Sequence, residues 1–283
     1  MVIPFTTRLQ TARVAIKRAG DDWNQIGDQA LFYWDSLIAI PRAVRQYKKE
    51  TLRLIAEISM GSGALAMIGG TVVVVGFLTL FTGGTIAVQG YSSLANIGVE
   101  ALTGFFSAFI NVRIAVPVIA GIALAATIGA GATAQLGAMR VSEEIDALET
   151  MAISSIPYLV STRIVAGMIA IIPLYSLASL AAFIASRFAT VVLYGQSSGV
   201  YDHYFNTFLI PSDILWSFVQ AICMAIAVML IHTYYGYNAD GGPVGVGVAV
   251  GNAVRASLVV VVVITLLTSL AIYGADGKFN LAG

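Results

Sequence analysis

Five apolar runs fix what this 283-residue chain can fold into. They cover about residues 58–88, 105–139, 164–185, 214–235 and 254–273, and each reaches the roughly 20 residues that an α-helix needs to cross a bilayer. Hydrocarbon offers no partner to a backbone N–H or C=O, so such runs must close their own hydrogen bonds as helices. The chain is 58% hydrophobic and 11% charged, where a soluble domain carries about 25% charged residues. The expected fold class is an all-α integral membrane protein with five spans in residues 54–273. A polar, basic segment, 1–53, precedes them, and a ten-residue tail, 274–283, follows.

The net charge of zero hides an asymmetry. Nine of the fifteen Lys and Arg residues lie at or before Arg53. With five spans, the N-terminal side also receives Arg140, Arg163 and Arg255, and the other side receives Arg187 and Lys278. Twelve against two places the N-terminus, the 140–151 segment and the 238–251 loop in the cytoplasm of a plasma or inner membrane, with the C-terminus outside. Within the basic segment, Ile26, Ala30, Tyr33, Trp34, Leu37 and Ile38 share a helical face. Its aromatic residues suit the headgroup layer, with packing on protein as the alternative. Pro41 is expected to end that helix. Val2 to Lys49 contains no apolar stretch of the kind a signal peptide needs.

One polar island interrupts the apolar sequence. Residues Arg140 to Met151 hold four acids, Glu143, Glu144, Asp146 and Glu149, within seven positions. Val141, Ile145, Leu148 and Met151 recur at helical spacing, and the acids fill the remaining circumference. Ser142 is placed to cap the helix, whose N-terminal dipole favours the acids. A solvated connector needs neither an apolar stripe nor an acidic face, so this helix is expected to dock a cytoplasmic partner.

The rest of the chain lacks chemistry of its own. No G-x-x-x-x-G-K-[ST] phosphate loop occurs, and Gly241 to Gly251 is expected to be a flexible turn. His203 and His232 are far apart, and lone Cys223 is expected to be a small core residue. No enzyme activity, metal, bound cofactor or nucleic-acid partner is expected. Arg113, Glu57 and Glu100 are the ionisable residues nearest the spans. Arg113 would either face a cavity or snorkel to the headgroups. A lone secondary transporter would bury more such groups, and a scaffold without transport is the other alternative.

The run A-Q-L-G-A-M-R-V-S-E-E-I-D-A-L-E-T-M-A-I-S-S-I-P-Y-L-V-S-T-R-I-V-A-G, Ala134 to Gly167, resembles the signature of the YrbE/MlaE permeases, the membrane subunits of Mce-type ABC lipid transporters. Gln89-Gly90-Tyr91, the Gly241-Gly242 loop with Gly245 and Gly247, and Ala253-Val254-Arg255 extend the likeness over about residues 50–273. The resemblance implies a dimer of permeases, and a pair of cytoplasmic ATPases that bind ATP and Mg and grip a coupling helix. That helix would use Arg140, Glu143, Glu144, Ile145, Asp146, Leu148, Glu149 and Met151. It also implies extracytoplasmic MCE proteins and a lipid path passing Leu80, Ala87, Val88, Gln89, Tyr91 and Arg113. Details such as Ser154-Ser155-Ile156-Pro157-Tyr158 look most like actinobacterial YrbE proteins. Three departures stand out. The family's R-E-L-G-P reads Arg113-Ile114-Ala115-Val116-Pro117, its G-R-x-G arginine is Thr127, and its A-E-L-G acid is Gln135. A chain missing these polar groups is expected to pair, as a B-type subunit, with a second permease that keeps them.

Overall fold

A computed structural model describes residues 26–60 and 66–273. The expectations for residues 1–25 and for the tail 274–283 lie outside the described residues, as do residues 61–65. Among the described residues there is no strand. The elements are α1 (26–38), α2 (Ile40–Gln46), α3 (Lys48–Met60), α4 (Ala66–Ala95), α5 (Thr103–Ile110), α6 (Val116–Leu124), α7 (Ala130–Val141), α8 (Glu144–Thr150), α9 (Thr162–Phe188), α10 (Ser198–Phe208), α11 (Pro211–Tyr237) and α12 (Gly242–Tyr273).

Five apolar stretches are long enough to cross a membrane: Thr71–Ala95, Glu100–Val141, Ile156–Leu193, Pro211–Tyr237 and Gly242–Ile272. Most run past the bounds expected from hydropathy, because a helix does not stop where its side chains turn polar. Gln89-Gly90-Tyr91 does not end the first span. α4 continues to Ala95, and the Tyr91 ring stacks on Tyr194 at 4.2 Å. The glycine-rich segment after Gly241 is likewise no loose turn. Gly241 and Gly242 take φ of 82° and 72°, and Pro243 then sits in the first turn of α12. Pro117 does not break the second span. A π-helical stretch, Asn111–Ala115, precedes it and absorbs the bond its ring removes.

The core is built from small side chains. Ala120, Ala123, Ala125, Ala178, Ala182, Ala221 and Ala225 are buried with Leu124, Ile171, Tyr175 and Met224. Apolar lipid gives helices no reason to segregate, so close backbone contact and interhelical hydrogen bonds must hold the bundle. Both are present where α4 meets α9. A Cβ on Gly83 would collide with the backbone of Ala182, and the Ser186 hydroxyl donates to Gly83 O at 2.8 Å. Asn111 Nδ2 donates to Ser186 Oγ at 3.0 Å, and the Tyr201 hydroxyl contacts Ser107 Oγ at 3.1 Å. Cys223 departs from its expected core position. It is exposed on the outside of the bundle, while its neighbour Met224 is buried.

The N-terminal helices clamp one end of the bundle, called here the acidic end. One face of α1 packs on protein, and another is exposed. Phe32 and Tyr33 pack on Tyr234 and Tyr237 with ring centroids 5.4 to 5.9 Å apart, while Leu31, Trp34 and Ile38 are exposed. Ser161 Oγ donates to Ser36 O at 2.8 Å and fixes α1 against the start of the third span. Pro41 lies in the first turn of α2, which restarts the helix after Ala39. In α3, Arg53 clasps Glu50 at 2.6 Å and Glu57 at 3.0 Å. The hydrogen bonds from Arg53 hold the Glu50 carboxyl below its ordinary range.

Candidate functional site

The acidic island forms two elements rather than one helix. α7 ends at Val141, and α8 runs only from Glu144 to Thr150. The Ser142 hydroxyl donates to Ala138 O at 2.9 Å, so it closes the end of α7 and does not cap α8. It also hydrogen-bonds the Glu144 carboxylate at 3.0 Å. Glu143 takes the N-cap position of α8 in the left-handed conformation, φ 61°.

The other end of α8 is also left-handed. Ala152 has φ 60°, its N–H donates to Glu149 O, and the Ile153 N–H donates to Leu148 O, both at 3.0 Å. This is a Schellman termination with alanine in the place glycine usually takes. Glu143 and Ala152 are the two non-glycine residues with positive φ among the described residues, and they bracket α8. Each costs of order 1–3 kcal/mol and persists only where the surroundings demand it. Ala152→Gly removes the Cβ conflict and raises thermal stability by about 1 kcal/mol in a detergent unfolding measurement.

The apolar stripe divides. Ile145 is fully buried, and it packs with Leu136, Leu159, Leu148 and Tyr158. Val141 lies on α7 and is 40% exposed, and Met151 is 62% exposed, so both face outward. The acids divide too. Glu143, Glu144 and Asp146 are exposed, and Arg140 pairs with Asp146 at 2.8 Å. Glu149 is exposed as well, but its carboxylate bonds back to the bundle. Ser155 Oγ donates to Glu149 Oε1 at 2.6 Å, and the Tyr237 hydroxyl contacts both Ser155 Oγ at 2.8 Å and Glu149 Oε1 at 3.2 Å. α8 is thereby tied to the first residues of the third span and the last residue of the fourth. Spacing along the sequence gives Ser155, Tyr237 and Ala152 no role, although Ser155 and Ala152 lie within the family-like run. One is a common serine, one an aromatic near a span end, and one an alanine whose φ only the fold sets.

The residues expected along a lipid path differ in their exposure and partners. Leu80 is 42% exposed and Gln89 is exposed, but Ala87, seven residues along the same face of α4 as Leu80, is fully buried. The α5 side covers that end of α4, with Phe106 over Gly90. Val88 is half-buried, and Tyr91 is held by Tyr194. Arg113 neither opens to a cavity nor extends alone. Its Nε and Nη2 donate to Asp213 Oδ2 at 3.0 and 2.6 Å, and its guanidinium lies 4.2 Å from the Phe109 ring centre. Asp213 was not singled out as its partner, although it is the one acid in the first turn of α11. The pair is mostly sheltered, with side chains 19% and 16% exposed. Arg113→Gln strands the carboxylate and lowers stability by about 2 kcal/mol, and adding Asp213→Asn recovers most of that loss in the same unfolding measurement.

A bundle of five apolar spans, with its polar groups tied helix to helix and an acidic helix strained at both ends, is the build of a multi-pass membrane protein. The chain belongs to the MlaE permease family, whose profile matches residues 60–271. It is similar to a probable ABC transporter permease protein of Rickettsia bellii, 31% identical over 155 residues, 54% of this chain and 60% of that protein. It is similar also to a probable ABC transporter permease protein of Porphyra purpurea, 33% identical over 132 residues, 46% of this chain and 50% of the other. A third relative is TRIGALACTOSYLDIACYLGLYCEROL 1, a chloroplastic protein of Arabidopsis thaliana, 29% identical over 143 residues, 50% of this chain and 41% of the other. The chain thus spans six-tenths or less of the length of these relatives. None of the three is actinobacterial, so the actinobacterial B-type assignment does not rest on them.

Proposed function

We propose that this chain is the membrane subunit of an ABC-type lipid transporter, and that α8 is the coupling helix on which a cytoplasmic ATPase pulls. The single observation that carries this is the construction of α8: exposed acids at Glu143, Glu144 and Asp146, strained residues at both ends, and a Glu149–Ser155–Tyr237 tie to two spans. A partner gripping the acids moves the third and fourth spans with them. The acidic end is then cytoplasmic, a placement that the distribution of basic residues supports. Two relatives named as ABC transporter permeases support the ATPase, which would bind the nucleotide and Mg. One relative named after a galactolipid supports a lipid substrate.

The second permease of the complex is a different chain. Arg163 is 5% exposed, donates to Leu159 O at 2.8 Å, and reaches only the Gln135 amide at 3.5 Å, where related permeases place an acid. With Ile114, Val116 and Thr127 also replacing polar or glycine residues, this half of the path lacks the groups a symmetric transporter would repeat, as in a B-type subunit. MCE proteins at the opposite mouth complete the path. The test is purification of the native complex, followed by reconstitution in liposomes with labelled phospholipid. ATP-dependent lipid movement and two permease species are expected. Lipid movement by this chain alone, without nucleotide, would overturn the assignment.

A further inference from the structure

We propose that a cavity at the acidic end holds a zwitterionic phospholipid headgroup, with the phosphate on Arg42 and the ammonium between Asp35 and Glu149. The cavity is an open groove of about 540 Å³ between the α1–α2 corner and the segment that joins α8 to the third span, and its charged residues Asp35, Arg42 and Glu149 are exposed. Asp35, Ile38 and Arg42 form one wall, and Glu149, Ser154 and Ser155 stand on the other. The volume is that of a small-ligand site.

The charges are what select the ligand. Among the described residues, Asp35 and Arg42 make no ion pair and no side-chain hydrogen bond, although they share one cavity. Glu149 uses Oε1 for Ser155 and Tyr237, which leaves Oε2 open. A simple anion would meet Arg42 but also face two carboxylates. A simple cation would meet the carboxylates but also face Arg42. A group that carries both signs a few ångströms apart satisfies all three, and the guanidinium fork matches phosphate geometry. The Ser154 hydroxyl stands on the same wall as a further donor.

The rim identifies the source of the headgroup. Ile38 lines the cavity and is 60% exposed, and Leu31 and Trp34 on α1 are 62% and 64% exposed. A helix with such a face lies at the membrane surface, where acyl chains can cover it. A lipid seated here would bridge α1–α2 to the strained Ala152 turn and stiffen the base of α8. This site shares Glu149 and Ser155 with the tie at the base of α8, but binding there does not depend on the proposed transport activity.

The test is native mass spectrometry of the full chain in detergent with added phosphatidylethanolamine or phosphatidylglycerol. The unaltered protein is expected to retain phosphatidylethanolamine in preference. Arg42→Gln is expected to weaken that retention about tenfold, the loss of a charge-assisted contact. Asp35→Asn is expected to abolish the preference while phosphatidylglycerol still binds, and Arg45→Gln on the same helix is expected to change nothing. Equal retention of the two lipids by the unaltered protein would overturn the proposal, as would unchanged retention in Arg42→Gln. Soluble O-phosphoethanolamine binding as tightly as the lipid would overturn the lipid source. Loss of ATPase association in Arg42→Gln with lipid retention intact would make the cavity a protein contact instead.

Discussion

If α8 is the proposed coupling helix, Glu144→Lys with Asp146→Lys abolishes co-purification of the chain with a cytoplasmic ATPase and leaves the bundle folded. Both side chains are exposed, and neither packs in the core. Two like charges placed against a surface built for acids cost several kcal/mol, which weakens association by about 100-fold or more. The cost within the chain is small. Asp146 gives up its pair with Arg140, whose side chains are 38% and 59% exposed, and such pairs are worth about 1 kcal/mol or less. Glu144 gives up a contact with Ser142 at an exposed turn. The two readouts therefore separate: thermal unfolding in detergent barely moves, and the affinity pull-down empties. An ATPase that remains bound to the doubly reversed chain would remove α8 from the coupling role.

Gly83→Val unfolds the bundle at markedly lower temperature, while Gly84→Ala, one residue on, leaves it unchanged. A Cβ at position 83 would press into the Ala182 backbone, which has no flexible side chain to withdraw. α4 and α9 must then separate, and the separation breaks more than packing. The Ser186 hydroxyl loses Gly83 O, and the buried Asn111 amide that leans on Ser186 loses its anchor. Overpacking together with stranded buried polar groups costs about 3–5 kcal/mol. At Gly84 an added Cβ meets nothing within 4 Å, so alanine there is worth at most about 1 kcal/mol in favour of the helix. Differential unfolding of the two variants in one detergent checks both. Equal melting would mean that α4 and α9 do not meet at Gly83.

Hydropathy found all five spans because an apolar run has one fate in a bilayer. The helices run past the hydropathy bounds, because Gln89 and Tyr91 can close their backbone hydrogen bonds in a helix as well as in a turn. The island at Arg140 to Met151 was visible as an acidic patch with a stripe, and Ile145 and Leu148 do turn inward. The break at Ser142 and Glu143 was not visible. Periodicity counts spacing, and it cannot tell that a serine hydroxyl will return to Ala138 O and end the preceding helix.

The same division runs through the whole molecule. Composition determined that the chain is helical and crosses a membrane, because unsatisfied backbone groups are intolerable in hydrocarbon. Local order of residues determined that one short segment would be acidic. Only tertiary structure decided which of two adjacent glycines carries a helix contact, and that Arg113 has Asp213 as counter-charge 100 residues away. It alone joined the Glu149 carboxylate to Ser155 and Tyr237, while among the described residues Glu143, Glu144 and Asp146 make no bond to the third or fourth span. Such pairings depend on distances between segments far apart in the chain, and no pattern along one helix encodes them.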